Sequence, residues 1–223
     1  MGVVAPEPRI RHHPSEPTLL AHATGRLGLA AGLVVEAHLG VCPACRHSVA
    51  VMEALGGMLL DDLPPTPLAP GALERVVARL GEAPPKGQTH AAPTAHGHTG
   101  PITLPYPLHG LRVGRLRRIA PGLRHTLLLR APGGSTLHLL WGKPGVSLPL
   151  HTHRGIELTY VIAGAFEDEL GRFEAGDVEE ADADLTHHQV VTGPADCMCL
   201  LATTGRLRFT GVLARLIQPL LPF

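Results

Sequence analysis

The first third of the chain carries apolar residues at helical spacing. Between residues 16 and 82 this spacing predicts four helices and an all-α N-terminal domain over residues 9–82. The run Pro64-Pro65-Thr66-Pro67 ends the third helix, and Pro70-Gly71 opens the fourth. The predicted apolar faces comprise Leu19, Leu20 and Ala23; Leu29, Leu33, Val34, Ala37 and Val41; Val49, Met52, Leu55, Leu59 and Leu60; and Leu73, Val76, Val77 and Leu80.

The pattern changes twice further along the chain. Residues 83–105 are rich in Pro, Gly, Ala, Thr and His, which is typical of a linker, and we expect its His90, His96 and His98 to be solvated. From residue 111 onward, short alternating runs broken by Gly and Pro predict strands over residues 123–130, 135–141, 158–162, 197–202 and 207–212. Many short strands indicate an all-β barrel or sandwich over residues 106–223. The predicted fold class is therefore multidomain α + β.

Charge and composition narrow the function. The chain has 223 residues, its 19 Lys and Arg balance 19 Asp and Glu, and its pI is near 7.3, so direct nucleic-acid binding through a positive field is not expected. The N-terminus does not resemble a signal peptide, and no apolar run approaches the roughly 20 residues that cross a bilayer. We therefore expect a cytoplasmic protein without a membrane segment. In a reducing compartment the four cysteines are more typical of metal ligands, redox groups or buried small residues than of disulfides, and metal ligation is one explanation for the fifteen histidines.

The first group of candidate ligands is His38-x3-Cys42-x2-Cys45. Residues four apart on a helix lie on one face, and Pro43 makes the chain turn after Cys42, so that Cys45 can return to the same ion. Two thiolates and an imidazole suit tetrahedral zinc, which takes a fourth ligand. His13 is the best upstream candidate for that ligand, with His47 as a local rival. The alternative is a redox Cys-x2-Cys pair or two buried cysteines.

These residues, in a short four-helix domain, resemble the zinc-binding anti-sigma domain. The place of the upstream histidine, 25 residues before His38, favours His13 over His12. The resemblance covers residues 9 to about 82. It implies a structural zinc held by His13, His38, Cys42 and Cys45, and a protein that clamps an extracytoplasmic-function (ECF) sigma factor and blocks its access to RNA polymerase.

The second group is His151-x-His153-x3-Glu157, flanked by Gly145 and Gly164. Two histidines two apart on a strand project to one face, and Glu157 can return to that face on the next strand, which makes a site for Zn, Mn or Fe. The pattern resembles the first motif of the cupin barrel, a jelly-roll-like fold. Its second motif is degenerate, with Asp182 and Asp184 where Pro and Gly are usual, but the count from Gly176 reaches His187. We choose His187 over its neighbour His188 as the remaining ligand.

A zinc anti-sigma domain joined to one cupin resembles anti-sigma factors of the ChrR type, and this resemblance covers nearly the whole chain. It implies that the N-terminal domain holds an ECF sigma factor, and that the cupin, with zinc or another divalent metal, is needed for release in response to an oxidant such as singlet oxygen. The alternatives are a metal-dependent cupin enzyme, such as a dioxygenase, and a direct DNA-binding regulator. Cys197 and Cys199 alternate on one strand, where we expect burial rather than oxidant sensing.

Overall fold

The computed structural model describes residues 10–81, 102–111, 113–153, 155–205 and 207–209. Its N-terminal part contains the four predicted helices: α1 (Glu16–Ala23), α2 (Leu29–Leu39), α3 (Pro43–Asp61) and α4 (Ala72–Arg79). The prediction of four helices is confirmed. The predicted linker histidines His90, His96 and His98 lie outside the described residues.

Capping residues explain where these helices begin. Ser15 precedes α1, and its hydroxyl accepts a hydrogen bond from the backbone N–H of Thr18 at 3.3 Å. Cys42 occupies the same position before α3, whose first residue is Pro43. Because α2 ends at Leu39, Val41 lies beyond it and is exposed, whereas the sequence pattern had included it in the helix.

The C-terminal part contains a short 3-10 helix (Leu108–Gly110) and antiparallel strands. The strands are β1 (Arg117–Ala120), β2 (Leu123–Arg130), β3 (Thr136–Gly142), β4 (His151–His153), β5 (Glu157–Ala163), β6 (Ala165–Asp168), β7 (Gly171–Glu174), β8 (Val178–Ala181), β9 (Val190–Thr192), β10 (Cys197–Thr203) and β11 (Leu207–Phe209).

The strands form one large sheet in the order β1-β2-β3-β10-β5-β8, a sheet in the order β7-β6-β9, and the pair β4 and β11. Gly164, the last glycine of the first cupin motif, makes the turn between β5 and β6 with a φ of 76°. A side chain there would clash with the carbonyl of Asp196. The arrangement is the jelly-roll-like cupin barrel that the motifs predict, and this fold prediction is confirmed.

The helices pack directly on the large sheet. Side chains alternate between its two faces, and on the outer face Leu137, Leu139 and Leu158 are fully buried. They belong to the same apolar core as Val34 and Val35 of α2. The helical and β parts of the chain therefore share a core, although the sequence places a linker between them. The predicted boundaries 9–82, 83–105 and 106–223 stay a prediction. None of the described helices is long and apolar enough to cross a membrane.

Candidate metal centres

The first candidate centre lies where α1, α2 and α3 meet the barrel. It brings together His13, His38, Cys42 and Cys45, the four residues that the sequence selects. His38 comes from the last turn of α2, Cys42 from the cap of α3, and Cys45 from the first turn of α3. His13 approaches from the extended segment before α1. All except His13 are buried.

The spacing of the four donor atoms fits a tetrahedral ion. Nδ1 of His13 lies 3.4 Å from Sγ of Cys42 and 3.4 Å from Sγ of Cys45. Nε2 of His38 lies 3.3 Å from Sγ of Cys45 and 3.4 Å from Nδ1 of His13. Zinc bonds of about 2.0–2.3 Å require donor atoms about 3.5 Å apart at the corners of a tetrahedron. This donor set therefore fits zinc without rearrangement.

Burial shifts the pKa of two of the donors, His38 and Cys45. Burial lowers the pKa of His38, and its Nδ1 donates a hydrogen bond of 2.8 Å to the carbonyl of Gly176, which leaves Nε2 free for an ion. Burial, together with the neighbouring Cys42, raises the pKa of Cys45 to about 12. An ion bound here must therefore displace the thiol proton of Cys45, since the thiolate is the ligand.

The rival histidines lie elsewhere. His12 packs against Phe173, with ring centroids 4.3 Å apart. His47 is exposed on α3 and does not join the group. Of the three candidates for the fourth position, the structure brings only His13 to the cysteines. That these residues bind a metal ion stays a prediction at this point.

The second candidate centre lies inside the barrel and contains His151, His153, Glu157 and His187, all buried. His151 and His153 come from β4, and Glu157 is the first residue of β5. His187 pairs with His151 through two backbone hydrogen bonds of 3.1 Å. Nε2 of His153 lies 2.9 Å from Nε2 of His187, and Nδ1 of His153 lies 3.2 Å from Oε2 of Glu157.

Both carboxylate oxygens of Glu157 are buried and accept no hydrogen bond from the described part of the chain. A buried carboxylate without hydrogen bonds is costly unless a cation compensates it. Nδ1 of His151 donates to the carbonyl of Pro149 at 2.8 Å, and burial lowers the pKa of His151 to about 4, so this imidazole is neutral and can ligate. The donor set fits a divalent metal such as zinc, manganese or iron.

Two acidic residues that sequence reasoning missed hold His187. Its Nδ1 donates to Oδ2 of Asp168 at 3.0 Å and lies 2.6 Å from Oε1 of Glu179. Burial by itself would lower the pKa of His187, but the two carboxylates have the larger effect, and the net result is a pKa raised to about 10. Burial raises the pKa of Glu179 to about 8. Carboxylates behind a ligand histidine orient its ring and leave Nε2 facing the ion. Apart from the alternation that places Glu179 on the inner face of β8, no sequence signal singles them out.

The structure brings His187 to the second centre and His188 to the surface. The side chain of His188 is about half exposed, and its Nδ1 pairs with Glu169 at 2.5 Å. The choice of His187 therefore agrees with the geometry, and its role as a ligand stays a prediction.

Cys197 and Cys199 are both buried in β10, with their Sγ atoms 3.5 Å apart. The hydrogen bond from Cys197 and burial raise the pKa of Cys199 well above its usual value, so that it is a thiol rather than a reactive thiolate. Both cysteines line an apolar cavity of about 40 Å³, together with Thr159 and Gln189, which follow Glu157 and His187 by two residues. The cavity therefore adjoins the second centre along the barrel interior.

Comparison with known proteins gives related chains over almost the full length. The model of the ChrR cupin-like domain matches residues 115–206. The anti-sigma-E factor ChrR of Cereibacter sphaeroides is 41% identical over 214 residues, which cover 94% of this chain and 97% of that protein. A crystal structure of Rhodobacter sphaeroides SigE in complex with the anti-sigma ChrR contains a chain that superposes with a TM-score of 0.72 at 37% identity. This match covers 87% of the present chain and 99% of the other.

Proposed function

The chain belongs to the ChrR family of anti-sigma factors, and from this premise we propose that it binds and inhibits an ECF sigma factor in a zinc-dependent manner. The observation that carries the proposal is the identity of 41% to an anti-sigma factor across 94% of the chain. The convergence of His13, His38, Cys42 and Cys45 supports its zinc-dependent part. A cytoplasmic location, with no direct contact to nucleic acid or membrane, is part of the same proposal.

In this proposal the N-terminal centre holds a structural zinc. Bound zinc would tie the segment before α1 to the α2–α3 turn and so stabilise the packing of the three helices around the centre. The second centre would hold zinc or another divalent metal. Its ligands would be His151, His153, Glu157 and His187.

The sigma factor would dock on the exposed apolar faces of α3 and α4. From Val51 onward the apolar side chains of α3 are largely exposed, and no residue of α4 is buried. On α3, the exposed Val51, Leu55 and Leu59 follow one another at helical spacing, and an exposed apolar patch of this kind marks a protein interface. The exposed apolar side chains are Val51, Leu55, Met58, Leu59 and Leu60 on α3, and Leu73, Val76 and Val77 on α4.

Co-purification tests the proposal directly. The full-length protein is mixed with the ECF sigma factors of its own cell, the complexes are isolated by gel filtration, and zinc and other metals are quantified. We expect one sigma factor to co-elute and its transcription with RNA polymerase to be inhibited. Failure to bind or inhibit any of these sigma factors would refute the anti-sigma function.

The alternative of a metal-dependent cupin enzyme is less well supported. The interior cavity of about 40 Å³ has room for a few water molecules, whereas ligand pockets are usually about 300–1,000 Å³. We therefore propose a regulator without catalytic turnover. Iron in the barrel together with oxygen consumption would favour the enzyme instead.

We further propose that the cupin part is needed for release of sigma in response to an oxidant such as singlet oxygen. Loss of a ligand at the second centre would change how the barrel packs against α1–α3. Oxidation at Cys42 or Cys45 is the competing trigger. A double Cys197→Ser, Cys199→Ser variant should still release sigma on oxidant exposure, because both thiols are buried. If this variant loses the response, these two cysteines are the sensors.

A further inference from the structure

Strand β8 lies between the two candidate metal centres. Its successive side chains point to opposite faces. The inward residue, Glu179, lies 2.6 Å from Nδ1 of His187, a candidate ligand of the second centre. The outward residue, Glu180, faces the helices. A displacement of β8 would therefore move side chains that contact both the barrel centre and the helices.

The turn before β8 holds the segment that carries His13. Oδ1 of Asp177 accepts hydrogen bonds from the backbone N–H groups of Arg11 at 2.7 Å and His12 at 3.1 Å. Oδ2 of the same carboxylate accepts from the N–H of Glu174 at 2.9 Å, and Asp177 is 1% exposed. The N–H of Val178 donates to the carbonyl of His12 at 3.2 Å. The position of His13, the next residue, thus depends on the barrel.

The same turn and strand also orient the rest of the first centre. The carbonyl of Gly176 accepts the hydrogen bond that fixes the ring of His38. The carboxylate of Glu180 accepts from the N–H and hydroxyl of Ser15, at 2.8 and 2.9 Å, and from the hydroxyl of Thr18 at 2.7 Å. Residues 176–180 therefore hold the ring of His38 directly and the backbone on both sides of His13, from about 130 to 170 positions away in sequence.

We propose that β8 and the turn before it couple the two metal centres, with Asp177 and Gly176 acting as positioning residues for the N-terminal ion. When His187 is fixed in place, it fixes Glu179 and with it strand β8. Strand β8 in turn keeps His13 and His38 in the geometry that retains the ion. Loss of order at the barrel centre therefore loosens the N-terminal centre. The coupling passes from the buried pair of His187 and Glu179 along the backbone of β8 to the hydrogen bonds of Asp177 and Gly176. The inference rests on the zinc site of the proposed function and adds to it a route for regulation.

The test uses the full-length protein loaded with Co²⁺, which replaces zinc in tetrahedral sites. Thiolate-to-Co²⁺ charge-transfer absorption reports on the N-terminal centre alone, because the barrel centre contains no cysteine. The protein is mixed with excess EDTA, and the decay of this absorption gives the rate of ion release. Circular dichroism confirms that each variant is folded.

We expect Asp177→Ala to release the ion about 10-fold faster or more, because it frees the backbone of Arg11 and His12 next to the candidate ligand His13. His187→Ala, which acts at the other end of β8, should speed release from the N-terminal centre about fivefold or more. The double variant should be no faster than Asp177→Ala alone, because both changes break one route. The control is Glu167→Gln, an exposed barrel carboxylate that pairs with Arg172, and it should release the ion at the parent's rate.

Parental release rates in either single variant would overturn the proposal, and so would purely additive effects in the double variant. If Asp177→Ala does not fold, Glu180→Gln decides, because it weakens the contacts to Ser15 and Thr18 with little change in size. No sigma factor is present in this assay. Its failure would therefore leave the anti-sigma function standing, and a protein that binds no sigma could still show the coupling.

Discussion

Replacing Cys45 by Ser removes one thiolate from the N-terminal centre. Sγ of Cys45 lies 3.3 Å from Nε2 of His38 and 3.4 Å from Nδ1 of His13, so that an ion held by those two imidazoles is also within bonding distance of this sulfur. A serine hydroxyl at neutral pH keeps its proton and is a poor zinc ligand. We therefore expect Cys45→Ser to bind zinc more weakly and to lose its hold on sigma.

The size of the effect follows from the number of ligands. Structural zinc in small domains binds with an apparent free energy of about 10–16 kcal/mol, so one of four ligands accounts for on the order of 3 kcal/mol. This corresponds to an increase of about two orders of magnitude in the Kd for zinc. A competition titration against a chromophoric chelator measures that Kd, and transcription by RNA polymerase with the cognate sigma factor measures inhibition.

The matched control is Cys199→Ser. Cys199 is also a buried cysteine, but it lies in β10 and outside both groups of candidate ligands. It should keep the parental Kd for zinc and the parental inhibition. The reasoning would be refuted if Cys45→Ser bound zinc as tightly as the parent and still inhibited sigma fully.

Three further predictions follow from the fold and the barrel centre. His187→Ala should lower the metal content of the full-length protein from two ions to one, whereas His188→Ala should leave it at two; mass spectrometry under native conditions distinguishes them. Leu59→Asp on the exposed face of α3 should weaken sigma binding without lowering the melting temperature; a parental affinity would place the interface elsewhere. His125 and His138 are buried with ring nitrogens 2.6 Å apart, and burial lowers their pKa values to about 4 and about 3. Below pH 6.5 the unfolded chain binds protons at these sites, whereas the folded chain does not. Their contribution to the free energy of unfolding is therefore fully present above pH 6.5 and is lost as the pH drops towards 4. For His125 this loss of stability is on the order of 3 kcal/mol. A double His125→Gln, His138→Gln variant should therefore show a shallower decrease of melting temperature as the pH falls; equal slopes in variant and parent would contradict the assignment of this pH dependence to the two histidines.

The shared core has a consequence for how the protein should be divided. Leu137 and Leu139 of β3 are fully buried in the same core as Val34 and Val35 of α2. A fragment that ends at residue 82 would expose the apolar face of α2 to water. The contribution of the barrel to sigma inhibition is therefore better measured by substitutions in the full-length chain than by truncation.

Local patterns were enough to predict the elements and most of the two centres. Helical spacing with Pro64 and Pro70 as breaks predicted four helices, and short alternating runs predicted strands such as β2 (Leu123–Arg130) with the observed bounds. His38-x3-Cys42-x2-Cys45 spans the short turn between α2 and α3, and His151-x-His153-x3-Glu157 spans the short connection between β4 and β5. The backbone geometry of a helix or strand alone brings such close neighbours in sequence to one face.

Contacts between residues far apart in sequence were decided by the tertiary structure. Asp168 and Glu179 reach His187 from β6 and β8, and Asp177 holds Arg11 from 166 positions away. Their proximity depends on the order of strands in the sheets and on the docking of α2 on the large sheet, and neither is written in a local pattern. The position of His13 depends on both the sequence pattern and the tertiary structure. Its place upstream of His38 made it the favoured candidate from a family resemblance, but its approach to Cys42 and Cys45 requires the barrel turn that supports residues 11 and 12.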